Sequence, residues 1–215
     1  MHCGIVPFMK SRGFPKTARA LLPLAGLAGA ALVAMACRAP ADPVVASEAT
    51  SDSRGTVDVA AFTPAGQLRR PPDLDEWVFL GASLGMGYNA AAFDPKSPGQ
   101  FQVVLMEPQA YRLFVETGAY PDGAMFLLSF YNSEQKVSIN RSGFVPRDLD
   151  SFEIHLIDRR RPGEGHYFYL YGVKDQQADV LPAGNSCIQC HLKDGAFDGT
   201  FAQFYPTIRH RIPES

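Results

Sequence analysis

Residue type and spacing could do chemistry most directly at Cys187-Ile188-Gln189-Cys190-His191. Two thiols three residues apart can add across the two vinyl groups of a haem. The histidine that follows is then placed to ligate the iron from one side. Zinc would need a second pair of Cys or His at ligand spacing, and no cysteine occurs between Cys37 and Cys187. A thioredoxin-like redox pair opens a helix after a strand in a βαβ unit, and no βαβ pattern surrounds this run near the C-terminus. The spacing therefore favours one covalently attached haem c, with Cys187 and Cys190 as thioether anchors and His191 as the iron ligand. A disulfide and a metal site are the weaker alternatives.

The elements that must hold this segment are mostly strands. Glu76 to Leu80 reads as a strand or short helix entering the glycine-rich stretch Gly81 to Gly87, and Phe101 to Met106 reads as a strand. Pro108 opens a short helix, in which Tyr111, Phe114 and Val115 recur at helical spacing until Gly118 stops it. Tyr120-Pro121-Asp122-Gly123 is a turn that feeds Ala124 to Tyr131, an apolar run of buried-strand length. Phe152 to Ile157 and His166 to Val173 alternate on either side of Arg159-Arg160-Arg161-Pro162-Gly163, as an antiparallel hairpin would. The expected fold class is α+β: mainly an antiparallel β-sheet with a few short helices, ending in the C-terminal haem-attachment segment.

The other boundaries come from composition. Lys10, Arg12, Lys16 and Arg19 precede an apolar stretch from Ala20 to Ala36, so residues 1–36 read as a secretory signal peptide. Cys37 is a candidate for lipid acylation after cleavage, and residues 37–54 read as a flexible tether. The expected location is the periplasm or cell envelope, with membrane contact only through that anchor. The remaining domain, residues 55–215, would hold the haem. Four of the 20 Lys and Arg residues precede Cys37 and no Asp or Glu does, which leaves 16 basic against 22 acidic side chains, a net of about −6. Such a domain has no electrostatic footprint for nucleic acid. The chain's 15 Phe and 8 Tyr supply core material.

Four segments together make the chain resemble the cytochrome P-460 family, which includes the β-sheet cytochromes c′. They are Trp77-Val78-Phe79; Phe101 to Pro108 with Tyr111; Thr117 to Gly123; and Cys187 to His191 followed by Asp198 to Phe204-Tyr205-Pro206. The resemblance implies a five-coordinate iron held by His191, open on its distal side to nitric oxide or related small nitrogen species. It also implies a homodimer, and a redox partner protein is a further candidate partner. The family's hydroxylamine-oxidising members carry a lysine cross-linked to the porphyrin; counting from Gly123 places that position at Leu128, and no lysine occurs between Lys96 and Lys136. A leucine cannot make the link, which moves the chain toward ligand binding. A hydroxylamine- or peroxide-using enzyme and a low-spin electron carrier stand as alternatives.

The resemblance makes Gln102 a candidate distal polar residue, and Phe79, Phe101 and Phe126 candidates for an aromatic wall. Gln102 equally fits the exposed face of its strand. Met86, Met106, Met125, His155, His166 and His210 are the residues that could close the sixth coordination position. The alternation around His155 and His166 predicts solvated side chains, and Arg159 to Arg161 reads as a solvated charge cluster. Glu153 and Glu164 are candidate proton acceptors, and nothing in the sequence selects between them.

Overall fold

The computed structural model describes residues 54–87 and 93–213. The leader, the proposed tether and Cys37 lie outside the described residues, apart from Arg54.

Five strands form one antiparallel sheet in the spatial order β2-β3-β4-β5-β6: β2 Val78–Leu84, β3 Phe101–Met106, β4 Ala124–Glu134, β5 Val145–Ile157 and β6 His166–Gly172. A two-stranded ribbon pairs β1 Leu68–Arg69 with β7 Gln177–Ala178. The α+β reading holds, with only two α-helices among the described residues: α1 Pro108–Thr117 and α2 Ser186–Asp194. The hairpin expected across Arg159 to Gly163 is β5–β6, with His155 opposite Phe168 and Glu153 opposite Leu170. The stretch around Glu76 resolves as a 3-10 turn over Leu74–Glu76, followed by a strand that runs through Gly81.

Local chemistry sets the limits of α1. Pro108 occupies the first turn, where its missing N–H costs nothing, and the buried Glu107 carboxylate caps it by accepting from Gln109 N and Ala110 N. Gly118 ends it in the left-handed region at φ 74°.

The sheet is covered on both faces. On one side Phe152, Ile154 and Leu156 of β5 pack with Met125, Leu127, Tyr169 and Tyr171 beneath Leu68 and Trp77. Phe152 and Tyr171 stack there with ring centroids 4.7 Å apart. Each such buried side chain contributes about 1.5–3 kcal/mol of transfer free energy. On the other side Leu80, Met106, Phe126 and Ile157 meet α1 and the C-terminal segment through Phe114, Tyr120, Phe201 and Ile208. The period-two pattern of β5 thus sorts residues between two interiors, not between interior and water.

That arrangement corrects three expectations. His155 and His166 are buried, at 5% and 8% exposure, and only His210 is exposed. Phe79 is 47% exposed on β2, an edge strand of the sheet, and does not line the cavity. Of the arginines only Arg160 keeps the expected exposure, while Arg159 and Arg161 are half-buried. Arg159 reaches both Asp122 (3.0 Å) and Asp198, Arg160 pairs with Asp158 and Asp58, and Arg161 lies over the Phe62 and Tyr167 rings.

Candidate functional site

The second face of the sheet opposes α2 across a cavity of about 420 Å³, a volume within the range of small-molecule and cofactor clefts. Asn185 caps α2 by accepting from Cys187 N and Ile188 N, which fixes the first turn. Ile188 faces the interior, while Cys187, Cys190 and His191 line the cavity together. The two thiols are not joined to each other. Burial pushes the Cys187 thiol up, and Glu153 adds to that shift.

His191 is held in one tautomer. Its Nδ1 lies 2.8 Å from the Gly199 carbonyl oxygen, and a carbonyl only accepts, so Nδ1 carries the proton and Nε2 keeps its lone pair. Burial lowers the His191 pKa, the bond to Gly199 opposes that shift, and His166 adds to the lowering. The ring is therefore neutral at physiological pH, as a metal ligand must be. Phe201, Phe168 and His155 surround it, with ring centroids at 4.6, 4.8 and 4.9 Å.

Behind His191 sits a second imidazole pair. His155 Nε2 and His166 Nδ1 are 3.0 Å apart, and His155 stacks on Phe168 at 4.3 Å. Burial first, then His191 and His166, hold the His155 pKa well below its ordinary value. Asp198, just before the Gly199 carbonyl, is tied to Arg159, which also holds Asp122 of the turn before β4. The loop that orients His191 is thereby fastened to two distant turns.

The sheet-side wall comes from alternate residues of adjacent strands. Val104 pairs with Leu128, Leu128 with Glu153, and Phe126 with His155, and all five side chains line the cavity. The C-terminal segment closes the cleft through Phe204 and Tyr205. It can lie directly on β2 because residue 81 is glycine: a Cβ there would stand 2.9 Å from the Phe204 carbonyl oxygen.

Of the three wall aromatics expected from the sequence, only Phe126 lines the cavity, joined by Phe130, Phe201, Phe204 and Tyr205. Phe79 and Phe101 stand elsewhere. Leu128 lines the cavity, as does Gln102. Gln102 is largely committed: Oε1 accepts from Ser83 Oγ at 3.1 Å and Nε2 donates to the Met86 carbonyl at 3.0 Å. Met86 also lines the cavity, whereas Met106 and Met125 are fully buried in the two cores. Glu153 stands in the cavity wall and Glu164 is exposed.

A β-sheet cleft presenting two unpaired thiols and a neutral imidazole defines a cofactor-binding protein. The chain matches the Cytochrome P460 family over residues 71–202 and belongs to it. No curated protein matches the chain. Membership implies haem binding, and the residues present fit that group: the donor side chains converge on an apolar cavity that no other part of the described chain fills.

Proposed function

We propose that this cytochrome binds nitric oxide or a related uncharged diatomic molecule at a single haem c. Cys187 and Cys190 would hold the haem through thioether bonds, and His191 would ligate its iron through Nε2. When bound, the haem would supply an iron centre able to take up a small ligand.

The chain's own residues select what reaches that position. Phe126, Leu128, Phe130 and Val104 offer no charge and no hydrogen bond, which disfavours anions and strongly hydrated ligands. Gln102, the polar residue expected there, spends its carbonyl oxygen and one N–H on Ser83 and Met86. The single observation that carries this reading is the largely apolar sheet-side wall of the cavity, in which Leu128 stands where the family resemblance would put a cross-linking lysine.

A sixth ligand from the protein draws little support. Met86 is the only one of the three candidate methionines in the cavity wall. His155 Nε2 is engaged with His166, and burial opposes its charging. The test is a visible spectrum of the purified protein, oxidised and reduced, with and without nitric oxide. A five-coordinate high-spin resting spectrum that shifts on adding nitric oxide supports the proposal. A six-coordinate low-spin spectrum that carbon monoxide leaves unchanged refutes it and favours an electron carrier.

We also propose that residues 1–36 export the domain and that Cys37 anchors it to a membrane of the envelope. Intact mass of the membrane-extracted protein reads this directly, through cleavage before Cys37 and added acyl chains. A homodimer, proposed from the family resemblance, is checked by light scattering on the eluting protein.

A further inference from the structure

One group in the cavity has no part in holding the haem or in excluding polar ligands. Glu153 is the only carboxylate among the described residues that line the cavity. It sits mid-strand on β5, and its register neighbours are Leu128 on β4 and Leu170 on β6, neither of which can pair with it. Among the described residues no Lys or Arg forms an ion pair with it and no hydrogen bond joins it to a donor. The titratable groups of the elements packed around it are few. β5 contributes His155, two residues along the same face; β6 contributes His166 on that face, engaged with His155; β4 contributes none; the C-terminal segment contributes Tyr205; and α2 contributes Cys187, Cys190 and His191. His155 and His191 are both held neutral by burial, and the thiols are consumed if the haem is attached.

A carboxylate without a partner in an apolar cleft is costly, so it takes a proton readily. Burial pushes the Glu153 carboxyl up to about 7, where small electrostatic changes alter its protonation near neutral pH. The largest such change available in this cavity is the oxidation state of a bound iron. An oxidised iron adds one positive charge, which stabilises the carboxylate, and reduction removes that charge.

Resting on the haem-binding reading, we propose that Glu153 is a proton-binding site coupled to the oxidation state of the haem. Glu153 takes up one proton from solvent when a one-electron donor reduces the iron from ferric to ferrous. It releases that proton when the electron leaves. One electron and one proton enter together, so the net charge of the cavity is the same before and after. The consequence is a midpoint potential that depends on pH near neutrality, which makes the electron affinity of the oxidised form responsive to the acidity of the compartment.

The test is spectroelectrochemical titration of the haem-loaded protein across the pH range around 7, for the wild type, Glu153→Gln and Glu153→Asp. Coupling of one proton to one electron lowers the potential by about 59 mV for each tenfold fall in proton activity. The wild type is expected to approach that slope, Glu153→Gln to lose it, and Glu153→Asp to keep it with a displaced midpoint. A second readout needs no potential: the reduced-minus-oxidised infrared difference spectrum should show a protonated-carboxyl band that Glu153→Gln removes. A slope that survives Glu153→Gln belongs to the haem propionates and overturns the proposal, as does a flat wild-type profile. Should Glu153→Gln fail to take up haem, Glu153→Asp decides: a displaced midpoint supports the assignment and an unmoved one overturns it. A pyridine haemochrome assay on each wild-type sample separates the two readings. Absent haem overturns the attachment reading and this one with it, whereas a loaded protein with a flat profile overturns only this one.

Discussion

Gly199→Ala is the most revealing single substitution, because two penalties meet at one Cα and a control separates them. Gly199 adopts φ 63°, the left-handed region that costs an L-residue about 1–2 kcal/mol. A Cβ there would also stand 2.6 Å from Cε1 of His166 and 3.1 Å from both of its ring nitrogens. That ring has little room to retreat, since it is buried and its Nδ1 is engaged by His155 at 3.0 Å. Overpacking of this kind costs about 1–3 kcal/mol, so the total loss should be about 2–5 kcal/mol. Gly118 is the control. It has a similar φ of 74°, and a Cβ added there would meet nothing within 4 Å, so Gly118→Ala should lose only about 1–2 kcal/mol. Urea unfolding of both variants at one pH measures the difference, expected at about 1–3 kcal/mol with unchanged slope. The Gly199 carbonyl also orients His191, so the same variant should perturb the haem spectrum while Gly118→Ala leaves it alone. Equal destabilisation of the two variants would refute the packing of His166 under the His191 loop.

Three further outcomes follow from the same geometry. Arg159→Met should cost about 2–3 kcal/mol in urea unfolding, because Asp122 and Asp198 lose a shared charged donor in a partly buried setting; the exposed Arg147–Glu134 pair is the contrast, and Arg147→Met should stay within about 0.5 kcal/mol. For Glu153, the folded carboxyl binds its proton more tightly than the unfolded one, about 7 against 4.5. The unfolded state therefore loses that proton first, and wild-type stability falls relative to Glu153→Gln as pH rises from about 4.5 to about 7, by at most about 3 kcal/mol; a gap that closes with rising pH contradicts the burial of this group. Turnover of hydroxylamine and of peroxide should be no faster than that of free haem, because Leu128 cannot supply the lysine link; steady-state assays check it.

Much of the frame was legible from local pattern. The Glu107–Pro108 start and Gly118 stop of α1 follow from capping chemistry that acts within a few residues. The β5–β6 hairpin follows from alternation around a charged Pro-Gly turn. The site was legible at Cys187, Cys190 and His191, whose spacing is itself the signal. Misreadings arose where the outcome depends on distant partners. His155 and His166 alternate with apolar residues as solvated side chains do, yet both faces of β5 are covered, so the polar face points into a cleft. Phe79 lies on an edge strand, and edge position is set by the strand order and not by any local residue. The tie from Arg159 to Asp122 and Asp198 spans 37 and 39 residues of chain. Nothing in a run of three arginines reveals which of them is pinned. Glu153 and Glu164 were indistinguishable in sequence, and only the register of β4 against β5 puts the first in the cavity.

The central claim is that Cys187 and Cys190 carry a haem in covalent linkage beside His191. Intact mass under denaturing conditions tests it most directly, using protein produced in cells able to mature c-type cytochromes. The account predicts a polypeptide heavier by one haem, and loss of that increment when both cysteines are replaced by alanine. A mass equal to the bare processed polypeptide, with or without lipid, would contradict it.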